Sequence, residues 1–308
     1  MRDKNKYLIT GAAGSVGSAI TRRLAQRRPR GLLLLDQNES ELFDLYEEIK
    51  KPDIEYVLCS IRDKIAIREV LKVHKPDIII HAAALKHVAI GEKYPVEFTK
   101  TNLYALRDML EIGKENRVKK FVFISSDKAV NPISVMGKTK AEGEKMVLSF
   151  NGKMKCMVVR FGNVMGSRGS VVPIFQKAIA ENRKLVVTDK KMRRYFMGLY
   201  EAADLILKAC KIGEGGEVFV MDMGEEIRID WLASLMIKLS GKPLKIKYSK
   251  PSKGEKFNEE LMTPEEKGRA IKKGKLYIIK NDKIKENNKK ENRKISKKKT
   301  KNGHKECS

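Results

Sequence analysis

Short apolar runs alternate with segments of helical period through the first half of the chain. Residues 7–10 read as a strand and 14–26 as a helix. The pair recurs at 32–36 and 39–50, 54–58 and 64–73, 77–82 and 96–116, and 120–125 and 135–150, with a sixth strand at 154–160. The runs at 32–35 and 78–80 are apolar at every position, as strands buried on both faces must be. This alternation predicts an α/β fold, a doubly wound parallel sheet covered by helices on both sides. Beyond residue 160 the pattern loosens. Gly162, Gly166 and Gly169 mark a loop, 172–182, 201–210 and 231–240 read as helices, and 218–221 and 244–248 as strands. The expected division is a first domain over 1–162 with some later segments returning to it, a smaller C-terminal substrate domain over 163–279, and a tail over 280–308.

Composition changes this picture mainly at the tail. The 308 residues carry a formal net charge of +26, and the last 29 alone hold 12 Lys+Arg against 4 Asp+Glu. With isoleucine as its only large aliphatic, that segment cannot bury enough apolar surface to offset chain entropy, so disorder is expected. A charge block of this kind is either a solvated tail or an arm for polyanions. No aromatic interleaves its lysines, which argues against base stacking and against a specific nucleic-acid partner. No apolar run approaches the roughly 18 residues of a membrane span, and the opening MRDKNKYLIT lacks the apolar stretch of a signal peptide. Cys59, Cys156, Cys210 and Cys307 are scattered, without CxxC or histidines at ligand spacing, so neither a disulfide framework nor a metal site is expected. These features predict a reduced, cytoplasmic protein.

Chemistry enters first at Gly11, Gly14 and Gly17, a G-x-x-G-x-x-G loop between a strand and a helix. Glycines there allow a tight turn and let the backbone approach a pyrophosphate at the positive helix N-terminus. The second strand ends in Asp36, 19 residues after Gly17, where a carboxylate accepts hydrogen bonds from ribose hydroxyls. No arginine follows directly, so NAD is favoured over NADP. Ser60-Ile61-Arg62-Asp63 follows the third strand and borders the expected adenine site. Ala82–Ala84 end the fourth strand with small side chains, which suit either a closely approaching cofactor or simple tight packing.

The fifth strand runs into Ser125-Ser126-Asp127-Lys128. Ligands of open α/β sheets bind at the carboxyl ends of strands, and an adjacent acid and base there can move protons in both directions. A surface ion pair would look the same in sequence. Met136 and Lys140 then lie one turn apart on one helical face.

The glycine loop, Asp36 and the M-x-x-x-K helix resemble the layout of extended short-chain dehydrogenase/reductases, with Met136 where the usual tyrosine stands. SSDKAVNPISVMGKTKAE (125–142), HAAALKHV (81–88), RFGNVMGSRGSVVPIF (160–175), MRRYF (192–196) and GEKFNEEL (254–261) resemble the signature of UDP-N-acetylglucosamine 4,6-dehydratases of surface-polysaccharide synthesis. The resemblance covers about residues 5–279 and looks like the catalytic portion, without the multi-span membrane region of some relatives.

It implies a Rossmann fold and a bound NAD that is reduced and reoxidised within each turnover. A UDP-sugar substrate and a homo-oligomer, dimer or hexamer, are also implied. Lys128 becomes the base at sugar C5, with a pKa that has to fall, and Asp127 the acid at the C6 hydroxyl. Lys140 bonds the nicotinamide ribose, and Ser125 or Ser126 holds the sugar O4. Arg194 and Asn163 face the diphosphate. Lys86 and Asn102 line the site, and Glu255 and Lys256 border the uridine pocket. The family's acidic residue after the third strand is Ser60 here. His81 reads as a core residue, and His87 stays open.

The expected function is a nucleotide-sugar 4,6-dehydratase, an NAD-dependent lyase. A UDP-sugar 4-epimerase on the same scaffold is the alternative, disfavoured because it needs no C5 base. A non-catalytic nucleotide- or polyanion-binding protein has only Met136 and the charge in its support.

Overall fold

The computed structural model describes residues 3–280. The basic segment beyond Lys280, and the disorder expected of it, lie outside the described residues.

The first half builds β1 (Lys6–Thr10), α1 (Ser15–Arg27), β2 (Gly31–Asp36), α2 (Glu39–Ile49), β3 (Ile54–Leu58), α3 (Lys64–His74), β4 (Ile78–His81), α4 (Val88–Lys93), α5 (Pro95–Thr99), α6 (Ala105–Glu115), β5 (Lys120–Ile124), α7 (Val135–Ser149) and β6 (Lys155–Arg160). The second half adds β7 (Asn163–Val164), α8 (Val171–Ala180), β8 (Leu185–Val187), β9 (Arg193–Arg194), β10 (Phe196–Met197), α9 (Leu199–Ile212), β11 (Glu217–Met221), β12 (Ile227–Arg228), α10 (Ile229–Ser240), β13 (Ile246–Tyr248), α11 (Pro264–Arg269), β14 (Ile271–Lys273) and β15 (Leu276–Lys280).

Nine strands form one sheet in the order β14-β15-β11-β6-β5-β4-β1-β2-β3. Strands β1 to β6 and β11 run parallel, while β15 pairs antiparallel with both β11 and β14. The order reverses at β1, which lies between β2 and β4, and this opens a crevice at the strands' carboxyl ends. Alternation within β2 shows why the strands are apolar throughout. Leu32 and Leu34 join the cluster with Ile20 and Leu24 of α1 and Ile206 of α9. Leu33 and Leu35 join the opposite cluster with Leu71 of α3 and Leu106 and Leu110 of α6. A third, smaller core gathers Phe175 of α8, Leu185 and Val187 of β8, Met192 just before β9, and Ile229 and Ala233 of α10.

Two departures from the periodicity reading have physical causes. The helix expected over 96–116 is interrupted by a π-helical turn at Lys100–Tyr104. That turn holds Asn102 inward, where its amide donates to Leu85 O (3.0 Å) and Thr139 Oγ1 (2.9 Å) and accepts from Leu85 N (2.9 Å). A polar anchor of this kind leaves no apolar period to read. The hairpin β14–β15 escapes the periodicity reading, because the lysines of its edge strand β14 mask the alternation. Its turn uses Gly274 at φ +64°.

Arg160, at the end of β6, ties the halves of the chain together. Its guanidinium is buried and reaches Glu144 of α7 at 2.6 Å and Glu266 of α11 at 2.9 Å, and it also donates to Leu261 O at 3.0 Å. Removing one partner of such a cluster leaves uncompensated buried charge. Arg160→Leu is therefore expected to cost about 3–5 kcal/mol of stability, measured by urea denaturation, far more than Arg22→Leu at an exposed pair.

Candidate active site

The glycine loop is shaped by what surrounds it. Gly11 has φ +66°, and a Cβ there would lie 2.7 Å from Ala83 N. A Cβ on Gly17 would stand 2.0 Å from Gly11 O. The loop is thus closed against β4 and against itself. Gly14 caps α1 without a side chain, and no acidic residue occupies the helix's first turn. Its amides and dipole are left for an anion. Asp36 accepts from Ala13 N (3.0 Å) and Asn38 N (3.1 Å), which fixes its carboxylate beside the loop. These residues fit the pyrophosphate and ribose of a dinucleotide. Asp63 caps α3, accepting from Ala66 N at 3.0 Å, and like Asp36 and the loop glycines it stands outside the lining of the cavity described next.

A cavity of about 410 Å³ opens at the carboxyl ends of the strands. Ala82, Lys86, Ser125, Ser126, Lys128, Met136, Lys140, Asn163, Arg194 and Glu255 all contribute to its wall. The segment after β7 runs alongside. Arg168 donates its backbone N–H to Ser15 Oγ (3.0 Å), and its guanidinium bonds Ala13 O and pairs with Glu41. Lys86 donates to Arg168 O at 2.8 Å. Its amine, expected to line the site, thereby also holds this segment near the N-terminus of α1. His87 packs under Gly169, where burial and Lys86 lower its pKa. His81 is fully buried, with Nδ1 2.9 Å from Thr10 Oγ1, and burial lowers its pKa to about 3. It stays a neutral core residue.

The sheet delivers Asp127 and Lys128 on a 3₁₀ turn directly after β5. Ser126 starts the turn, donating to Asp127 Oδ1 at 2.8 Å. Ser125 is buried and donates instead to Glu144 at 2.5 Å. Gly137 lets α7 press on this turn, since a Cβ there would be 2.3 Å from Lys128 O. Asp127 is completely buried. Its Oδ1 accepts from Lys128 Nζ at 3.0 Å, while no protein group hydrogen-bonds Oδ2. A Cβ on Gly162 would sit 3.1 Å from that Oδ2, so glycine keeps the backbone there from crowding it. Lys128 also reaches Asn163 Oδ1 at 3.4 Å.

The lowered pKa expected of Lys128 is corrected here. Burial, the largest influence, pulls it down, but Asp127 and Glu259 together more than offset this, and the pKa is raised. Lys128 is an ammonium held between carboxylates. Glu259 was not anticipated, although it lies in the GEKFNEEL segment. It is buried, with Oε1 3.6 Å from Lys128 Nζ. Its only sequence signal was its place three residues after Lys256.

Arg194 explains how that segment is held. It is buried and donates to Phe257 O (2.9 Å) and Lys256 O (2.8 Å), with Glu255 Oε1 at 3.6 Å. Arg193 N adds a bond to Phe257 O, and Lys256 Nζ donates to Val130 O at 2.7 Å. Expected at a diphosphate, Arg194 borders the cavity and grips the backbone of a strap. On α7, Met136 is buried and one turn from Lys140. Lys140 donates to Ile124 O at 2.8 Å and lies over the Phe123 ring at 4.7 Å. Burial lowers its pKa to about 8. Among the described residues no acidic, histidine or cysteine cluster could hold a metal ion, and no helix is long and apolar enough to cross a membrane.

Comparison with known proteins follows the same outline. The capsular polysaccharide biosynthesis protein CapD of Staphylococcus aureus is 42% identical over 84% of this chain and 45% of its own length. The chain thus spans about half of that relative. At 33% identity stand a UDP-N-acetylglucosamine 4,6-dehydratase (inverting) of Campylobacter jejuni, matched over 86% of this chain and 80% of its own, and a UDP-glucose 4-epimerase of Rickettsia bellii, over 88% and 82%. The crystal structure of Pen from Bacillus thuringiensis superposes with a TM-score of 0.87 at 34% identity, over 91% of this chain and 90% of its own. Residues 7–281 match a family described as polysaccharide biosynthesis protein, and over that span the chain belongs to the polysaccharide biosynthesis protein family.

Proposed function

We propose that this chain is an NAD-dependent nucleotide-sugar 4,6-dehydratase acting on UDP-N-acetylglucosamine. The observation that carries the reading is the Asp127–Lys128 pair at the carboxyl end of β5, in which Lys128 lines the cavity and the buried Asp127 lies directly behind it. A 4-epimerase on this scaffold needs no base at C5, so Lys128 favours dehydration.

The glycine loop, Asp36 and Lys140 are the residues that would hold NAD, which supplies the acceptor for hydride from sugar C4 and its return to C6. A thioether accepts no proton, so Met136 cannot act as the base at the C4 hydroxyl. Asp127 Oδ2, buried and without a hydrogen bond, is assigned that proton. The 4-ketone then acidifies the C5 hydrogen, and Lys128 as a free amine removes it. Asp127 passes the proton it took from O4 to the departing C6 hydroxyl, which leaves as water. Lys128 finally returns its proton to C5. The carboxyl therefore ends each cycle ionised, and the amine ends it neutral. Ser126 keeps the carboxylate oriented, and Met136 supplies apolar wall.

Incubation of the purified chain with UDP-N-acetylglucosamine, without added reductant, is expected to give a product lighter by one water with a new C6 methyl in its proton NMR spectrum. An unchanged mass with a UDP-N-acetylgalactosamine spectrum would establish the epimerase instead. Asp127→Asn is expected to lower turnover by about 10²–10⁴-fold, the range of a lost general acid–base group.

Lys140→Met tests the buried amine separately from catalysis. The native amine titrates near pH 8 and the unfolded one near 10.5, so between these values the unfolded chain binds more protons. Lys140's stability contribution is therefore full above the unfolded value and lost as pH falls through about 8. The variant should lack turnover. Its stability relative to the parent, from urea titrations at about pH 7 and about pH 10, should shift against it at the higher pH by on the order of 2–3 kcal/mol. A difference independent of pH would contradict a neutralised buried amine.

A further inference from the structure

Glu259 is a second buried carboxylate beside Lys128. The nitrogen lies 3.0 Å from Asp127 Oδ1 and 3.6 Å from Glu259 Oε1. Glu259 is 4% exposed, and no protein group hydrogen-bonds its Oε2, which has Lys256 Nζ at 3.9 Å. A buried carboxylate with an unfilled oxygen is costly as an anion and much less so as a neutral acid. The strap that carries it is fastened by Arg194 and Lys256 through main-chain carbonyls, so its position is set independently of substrate.

We propose that Glu259 is a positioning residue that takes the ammonium proton of Lys128, so that the lysine meets sugar C5 as a free amine. The assignment rests on the dehydratase reading. In this step one N–H bond of Lys128 breaks and one O–H bond forms on Glu259 Oε1. The neutral pair replaces the ion pair, and no other bond changes. A shortening of about half an ångström brings the two atoms within hydrogen-bond range. The C5 proton then converts the amine back to ammonium, and its return to C5 restores the amine while Glu259 keeps its proton. Burial and the charge of Asp127 raise the pKa of Glu259, and Lys128, Arg194 and Lys256 oppose that rise. The groups that face the pair are thus Asp127, Arg194 and Lys256. Tyr195 borders Asp127, and Glu255 borders Arg194.

The test uses the holoenzyme and UDP-N-acetylglucosamine in deuterated water. It follows turnover, bound reduced nicotinamide by absorbance, and deuterium entry at C5. In Glu259→Gln, bound reduced nicotinamide is expected to form as in the parent, because C4 oxidation does not use Lys128. Turnover and C5 exchange are expected to fall together by about 10²-fold, with KM changed by less than about threefold. Glu259→Asp is expected to restore at least about a tenth of the parent's turnover, with a shifted pH profile. Parental turnover and pH profile in Glu259→Gln would overturn the proposal. So would faster turnover extending to lower pH, which would make Glu259 only a charge that holds the ammonium. Equal loss of nicotinamide reduction and C5 exchange in both variants would overturn it too, by making the role structural. A parent chain that forms no C6 methyl defeats the dehydratase reading itself and this assignment with it. That outcome is distinguished by needing no Glu259 variant.

Discussion

A charge removed from water must find its counter-charge in the protein, and this chain arranges its interior around that requirement. Around Lys128, two buried carboxylates hold an ammonium whose side chain is partly exposed to the cavity. Around Arg160, a guanidinium is saturated by two glutamates and a carbonyl. The two clusters are neighbours in structure, because Ser125, one residue before the reactive turn, hydrogen-bonds the same Glu144 that Arg160 holds. The Arg160 cluster has its hydrogen bonds met and is static. The Lys128 cluster leaves Asp127 Oδ2 and Glu259 Oε2 without a hydrogen bond, and a carboxyl with an unfilled buried oxygen is less costly as a neutral acid than as an anion.

The fold was legible because its signals are local and repeated. Four consecutive leucines in β2 can be satisfied only between two helix layers, and the glycine spacing after β1 has few other uses. Asp127 and Lys128 were legible because they stand at the end of a recognisable strand. Glu259 was not, since it comes from a segment more than a hundred residues away that has no helical or strand period of its own. Its arrival depends on Arg194 and Lys256 gripping carbonyl oxygens, which leave no mark in residue identity. The protonation state of Lys128 is not legible for the same reason, because the second carboxylate beside it comes from that distant segment.

In the proposed mechanism Met136 stands where a side chain is usually charged with proton transfer. The position on α7 is buried and contributes apolar wall, while Asp127 offers an unoccupied oxygen a few residues earlier. Under the proposed mechanism the two tasks often combined in one phenol, shaping the pocket and moving a proton, are divided between a thioether and a carboxylate. A thioether does not titrate, so the ionisation of this site rests on fewer groups.

The strap's attachment carries a consequence for how the sequence can drift. Arg194 binds the carbonyl oxygens of residues 256 and 257, and every amino acid supplies a carbonyl. The side chain of Phe257 is 46% exposed. That residue can therefore be exchanged widely without loosening the strap, whereas no other side chain offers the forked, permanently charged donors that position 194 requires. Variation among homologues should accordingly concentrate at 257 and spare 194, although both lie at the same contact.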